Sequence, residues 1–167
     1  MVVMVVFAGG CGGSSNSSGT TAGFATASGS SVLTPAIKRV TLAQTSGGLG
    51  AQPVGDCSPL WSYTLSLDTK RLALNCTAQA DGTVTITDDV ALTDPVFATL
   101  VAAAQAVTVS GRRECGADFT TRELRVESAT AMLTYGDDFW GCLRDHDEFV
   151  TWEGLNSLEA ALQAIAP

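Results

Sequence analysis

By residue type, the groups best suited to chemistry are the chain's one histidine and the acids around it. Arg144-Asp145-His146-Asp147-Glu148 sets an imidazole among carboxylates, the make-up of a general base. A base needs a nucleophile to activate, and the chain carries no G-x-S-x-G elbow. Charged neighbours on both sides lead us to expect His146 in a solvated loop, and no catalytic residue is assigned. Asp137 and Asp138, with Asp145, Asp147 and Glu148, form an acidic cluster around Cys142. Hard cations take such oxygen ligands, but the spaced calcium loop with glycine at its sixth position is missing. An ordinary acidic loop is expected there, and no metal. Gly47-Gly48-Leu49-Gly50 lacks the lysine and helix start of a phosphate loop, so no cofactor is expected either.

The five cysteines carry a different chemistry. No pair has the C-x2-C spacing of a zinc site. Met1 to Phe7 is apolar, and Ala8-Gly9-Gly10-Cys11 follows. This resembles the lipobox of bacterial lipoproteins, where small residues precede a cysteine that becomes the lipid-modified N-terminus. The resemblance implies a signal peptide over residues 1–10, acylation of Cys11, and a bacterial cell-envelope location, at the outer membrane or cell surface. Gly12 to Ser31 is rich in Gly, Ser and Thr and holds too little apolar surface to offset its ordering entropy. It reads as a flexible tether with a root-mean-square span of roughly 25 Å. Residues 32–167 are left as one folded domain.

With Cys11 acylated, four cysteines remain, and they allow three connectivities. Cys57 precedes one strand and Cys76 closes the next, so a chain reversal favours that pair. The same argument favours Cys115 with Cys142 across a second hairpin. Each bridge is expected to add about 3 kcal/mol by constraining the unfolded chain.

The elements that would position these groups follow from period-2 and helical patterns. Val40 and Leu42 share a face of a strand near residues 37–44. Trp61, Tyr63, Leu65 and Leu67 alternate with Ser62, Thr64 and Ser66. Leu72, Leu74 and Cys76 repeat the pattern after a turn at Asp68-Thr69-Lys70, and Val84 and Ile86 follow the Asp81-Gly82 turn. Asp88 and Asp89 read as turn and cap residues. Thr93-Asp94-Pro95 opens a helix with its stripe at Phe97, Leu100, Val101 and Ala104. Leu124 and Val126 alternate with Glu123, Arg125 and Glu127, and Leu133 and Tyr135 return. Phe149 to Trp152 is extended, and Leu155, Leu158, Leu162 and Ile165 mark a final helix. The fold class is therefore α+β: an antiparallel sheet of five to six strands, two helices packed on one face, and two disulfides.

Charge narrows the partners. The formal net charge is −8, and nine Lys and Arg form no stripe, which argues against nucleic acid. Ser62, Thr64, Ser66, Thr83, Thr85 and Thr87 are expected to face solvent. Trp61 and Tyr63 are expected in the core, and Trp140 at a contact surface.

The layout from Lys70 to Cys142 also resembles the bacterial subtilisin-inhibitor family. KRLALNC, ending at Cys76, is similar to that family's strand ending in cysteine. A helix, Cys115, a hairpin and Cys142 follow in order. The resemblance implies a reactive loop just after Cys115, at Gly116-Ala117-Asp118, with Ala117 in the specificity position. The leading expectation is a small exported lipoprotein, held to the membrane by its lipid, with a non-catalytic binding or structural role. The alternative is a secreted protease inhibitor acting through that loop, with Ala117, Asp118 and Trp140 touching a protein partner.

Overall fold

Alternation builds the sheet. In the computed structural model, residues 20–21, 23–45, 60–77, 84–111, 120–139, 146 and 148–165 are described, those at 20–21, 77 and 84–87 by backbone alone. The strands β3 (Arg39–Gln44), β4 (Trp61–Ser66), β5 (Arg71–Thr77) and β6 (Val84–Ala91) form an antiparallel meander with β3 inside the sheet. Next come β7 (Arg122–Glu127), β8 (Met132–Asp137) and β9 (Glu148–Val150). The seven-stranded order is β6-β5-β4-β3-β7-β8-β9. Val40 and Leu42, Trp61, Tyr63 and Leu65, Leu72 and Leu74, Leu124 and Val126 are all buried on one face. Residues between them are half-buried or exposed, as a sheet with one core side requires.

Two helices cover the apolar face. Helix α1 (Asp94–Ala106) buries Leu100 and Ala104, and α2 (Trp152–Gln163) buries Leu155, Leu158 and Leu162. These side chains join one cluster with the inward strand residues. Burial of each leucine contributes about 1.5–3 kcal/mol. Pro95 sits in the first turn of α1, where its missing N–H costs nothing, but Thr93 makes no side-chain capping bond.

The structure thus has the expected α+β architecture, a large antiparallel sheet with two helices, and departs from expectation at several points. The first is β9, which pairs with β8 in parallel, with Tyr135 opposite Glu148 and Asp137 opposite Val150. Second, β6 continues to Ala91, so Asp88 and Asp89 are strand residues. The ladder shifts by one residue where Leu74 pairs Asp88 and Asn75 pairs Ile86, a β-bulge.

The third is the stretch read as tether. β1 (Thr20–Thr21) and β2 (Phe24–Ala25) form a small hairpin, turned by Gly23 at φ +87°, a conformation that favours glycine. Phe24 and Ala25 are buried in the core. The buried Tyr135 hydroxyl donates to the Ala25 carbonyl at 2.6 Å. Gly29 N–H donates to Val109 O at 2.8 Å, and Val109 N–H to Ser30 O at 2.9 Å. Ser110 N–H in turn donates to Phe149 O. Residues 29–32 and 107–110 therefore continue the hydrogen bonding beyond β9. Composition alone hid this, because main-chain groups rather than side chains make the join.

The fourth correction concerns sulfur. The two disulfides expected as part of the fold are not found among the described residues, where no two cysteines are bridged. Cys57, Cys115 and Cys142 lie outside them. Cys76 lies in β5 opposite Trp61, and its sulfur is bonded to a partner outside the described residues. The β4–β5 register is set by a six-residue ladder over buried Tyr63, Leu65, Leu72 and Leu74. The fifth, the acids at 137–138, is taken up below.

Because Phe24 belongs to the core, Phe24→Ala is expected to destabilise the protein by about 3 kcal/mol or more. Urea denaturation followed by circular dichroism measures this. A change within error of zero would restore the tether reading of this segment.

Candidate functional site: an open sheet face above a buried arginine

Among the described residues both helices lie on the same side of the sheet, and the opposite face presents polar side chains. Its register places Asn75, Ser62, Ala43, Glu123 and Gly136 in one cross-strand row. The next row holds Asp89, Ala73, Thr64, Thr41, Arg125 and Thr134. A third holds Arg71, Ser66, Arg39, Glu127 and Met132. Thr41 and Thr64 share a hydroxyl–hydroxyl bond at 3.2 Å. Small side chains in the middle of the face leave a cavity of about 350 Å³, bounded by Thr41, Ala43, Ser62, Leu60, Glu123 and Arg125. A shallower one of about 250 Å³ lies between Arg39, Thr64, Arg71 and Asp89.

Behind this face, on the helix side, the same strand ends carry a buried polar hub. Arg122 Nη1 donates to Asn156 Oδ1 at 2.5 Å and to Glu159 Oε2 at 2.7 Å, both on α2. Its Nη2 lies 3.4 Å from Asp137 Oδ2. Asp137 is fully buried, and its other oxygen accepts from Phe139 N–H at 2.8 Å. Asp138 is also buried. Its Oδ1 accepts the N–H of Trp152, the first residue of α2, and its Oδ2 accepts from the Ser110 hydroxyl. Thr151, the cap residue of α2, makes no side-chain capping bond. A carboxylate from the neighbouring segment does that work, and its charge suits the helix's positive end. The expectation of an ordinary acidic loop at Asp137-Asp138 is thus corrected: one acid neutralises an arginine and the other caps a helix. Sequence reading had no signal for this, since both partners are distant along the chain.

His146 is likewise not the solvated residue expected. Its side chain is 12% exposed, with Nε2 3.4 Å from Glu123 Oε1 in a geometry that makes no hydrogen bond. Its ring meets Phe149 edge to face. A Cβ on Gly136 would lie 2.6 Å from the imidazole and 2.9 Å from the Phe149 ring, so this glycine is what lets both rings approach the sheet. The sequence offered the charged neighbours of His146 and concealed the glycine across the sheet.

Trp61 and Tyr63 are core residues, as expected, in an edge-to-face pair. Burial, and secondarily Glu159, pushes the Tyr63 hydroxyl up to about 12. Burial, and then Glu148, does the same for Tyr135, also to about 12. Ser62, Thr64 and Ser66 lie on the open face, half-buried. Thr83 and the side chains of Thr85 and Thr87 lie outside the described residues. So do Cys11, the Gly47–Gly50 loop, Ala117, Asp118 and Trp140. Among the described residues no three His, Cys, Asp or Glu side chains converge on a point where they would hold a metal ion. No described helix is long and apolar enough to cross a membrane.

No protein-family model matches the chain, and no curated protein matches its sequence. The functional reading therefore rests on the residues themselves.

Two outcomes follow from the buried groups. Arg122→Ala leaves Asp137 charged, buried and without its guanidinium, and is expected to cost about 3–5 kcal/mol in denaturant unfolding. The chain's only tyrosines, Tyr63 and Tyr135, are both fully buried with raised values. An unfolded tyrosine ionises near 10. Below that pH both states keep their protons and the tyrosines' contribution to stability is intact. From about pH 10 only the unfolded state loses them, so stability falls and the contribution is lost as pH passes about 12. Phenolate absorbance in an alkaline titration should therefore stay flat until the protein unfolds. A gradual rise near pH 10 with circular dichroism unchanged would contradict the burial of both rings.

Proposed function

We propose that this protein is a small exported lipoprotein, anchored in a bacterial envelope through Cys11, that works by non-catalytic binding on the open face of its sheet. The observation that carries the binding half is the asymmetry of the sheet. Both helices cover one face, while the other keeps a polar surface with a cavity of ligand size. The anchoring half rests on Ala8-Gly9-Gly10-Cys11 after an apolar run. Asp137, Asp138, Glu159 and the buried Arg122 already have structural duties, as ion pair and helix cap, and this also favours a binding role.

On this reading the lipid holds the domain at a membrane surface, and the sheet face meets a partner or ligand from the envelope. Metabolic labelling with palmitate tests the anchor. Label should enter the wild-type chain expressed in a bacterial host and be absent from Cys11→Ala. Equal labelling of both would reject it.

A further inference from the structure

Three arginines rise from the open face, and two are neutralised there. Arg39 Nη1 is 2.9 Å from Glu127 in its own cross-strand row. Arg71 Nε is 3.0 Å from Asp89 in the adjoining strand. Arg125 is exposed, sits between Thr41 and Thr134 in the middle row, and makes no ion pair among the described residues. In a chain of net charge −8, carboxylates are plentiful, yet none of the described ones pairs with this central guanidinium.

Arg125 also borders the larger cavity, whose floor is Thr41, Ala43 and Ser62. Its forked donors match a carboxylate through two parallel hydrogen bonds. The Thr41 and Ser62 hydroxyls offer donors and acceptors along the floor, and Glu123 adds an acceptor on the same wall. A compact multivalent anion such as phosphate would suffer from Glu123, two residues from Arg125 on the same face of β7. A ligand with one negative charge at one end and hydroxyls at the other satisfies both walls. The volume, about 350 Å³, suits one or two sugar rings.

We propose that this cavity binds a uronate-type saccharide, with Arg125 clamping the carboxylate and Glu123, Thr41 and Ser62 meeting the ring hydroxyls. This assignment deepens the binding reading above and rests on it. Arg125 sets the preference for an acidic sugar, because truncating it leaves the carboxylate with no described cation on this wall.

Calorimetric titration of the full chain in detergent tests it, with a glucuronate-containing disaccharide and its neutral parent, in which a hydroxymethyl group replaces the carboxylate. The acidic sugar should bind at least about tenfold more tightly than the parent, the scale of one charge-assisted bond. Arg125→Gln should remove that preference while leaving thermal melting and the weaker neutral binding unchanged. Glu123→Gln should weaken both sugars. Equal affinity for the two sugars, binding untouched by Arg125→Gln, competition by inorganic phosphate alone, or no binding of either sugar would each overturn the proposal. Such a result with palmitate labelling of Cys11 intact would leave the envelope assignment standing. Loss of the label with sugar preference intact would remove the anchor and keep this site.

Discussion

A buried guanidinium ties the two layers of this fold together. Arg122 projects from the sheet end and bonds two residues of α2, while Asp137 approaches it from β8. Burying a charge is costly unless it is paired and hydrogen-bonded, and here two of the three partners come from α2. The apolar stripe of Leu155, Leu158 and Leu162 tells α2 which side to bury. It says little about where along the sheet the helix should lie. The arginine supplies that register, and Asp138 holds the beginning of the helix through the Trp152 amide. Hydrophobic burial and polar specification thus act on the same element in different ways.

That docking has a consequence for the far side of the sheet. With both described helices committed to one face, the alternate residues of each strand carry no core. Apart from exposed Met132 they are mostly small or polar, and in their middle the sheet dips into a cavity. Helical cover on one side and an open polar surface on the other suit the binding through the sheet proposed above.

The strands were readable because period-2 alternation is a local property. Trp61, Tyr63 and Leu65 turned inward as their spacing required. Helical spacing put Leu100 and Ala104 of α1 and Leu155, Leu158 and Leu162 of α2 in the core, with Phe97 and Val101 only half-buried and Ile165 beyond the end of α2. Composition misled where the main chain did the work. Gly12 to Ser31 reads as tether, yet Phe24 enters the core and residues 29–32 hydrogen-bond along the 107–110 segment. Counting cysteines suggested two bridges, but no two cysteines are bridged among the described residues, whose strands are registered by ladder and packing.

The sequence alone determined which residues of each strand and helix face the interior, since side-chain direction along an element repeats every two or every 3.6 residues. It also determined the low positive charge and the small-residue motif before Cys11. Only the tertiary structure decided that Asp137 and Asp138 are buried partners and that His146 packs over Gly136. It alone left Arg125 facing outward with no counterion among the described residues. Those outcomes depend on distances between residues far apart in the chain, and no local pattern encodes such distances.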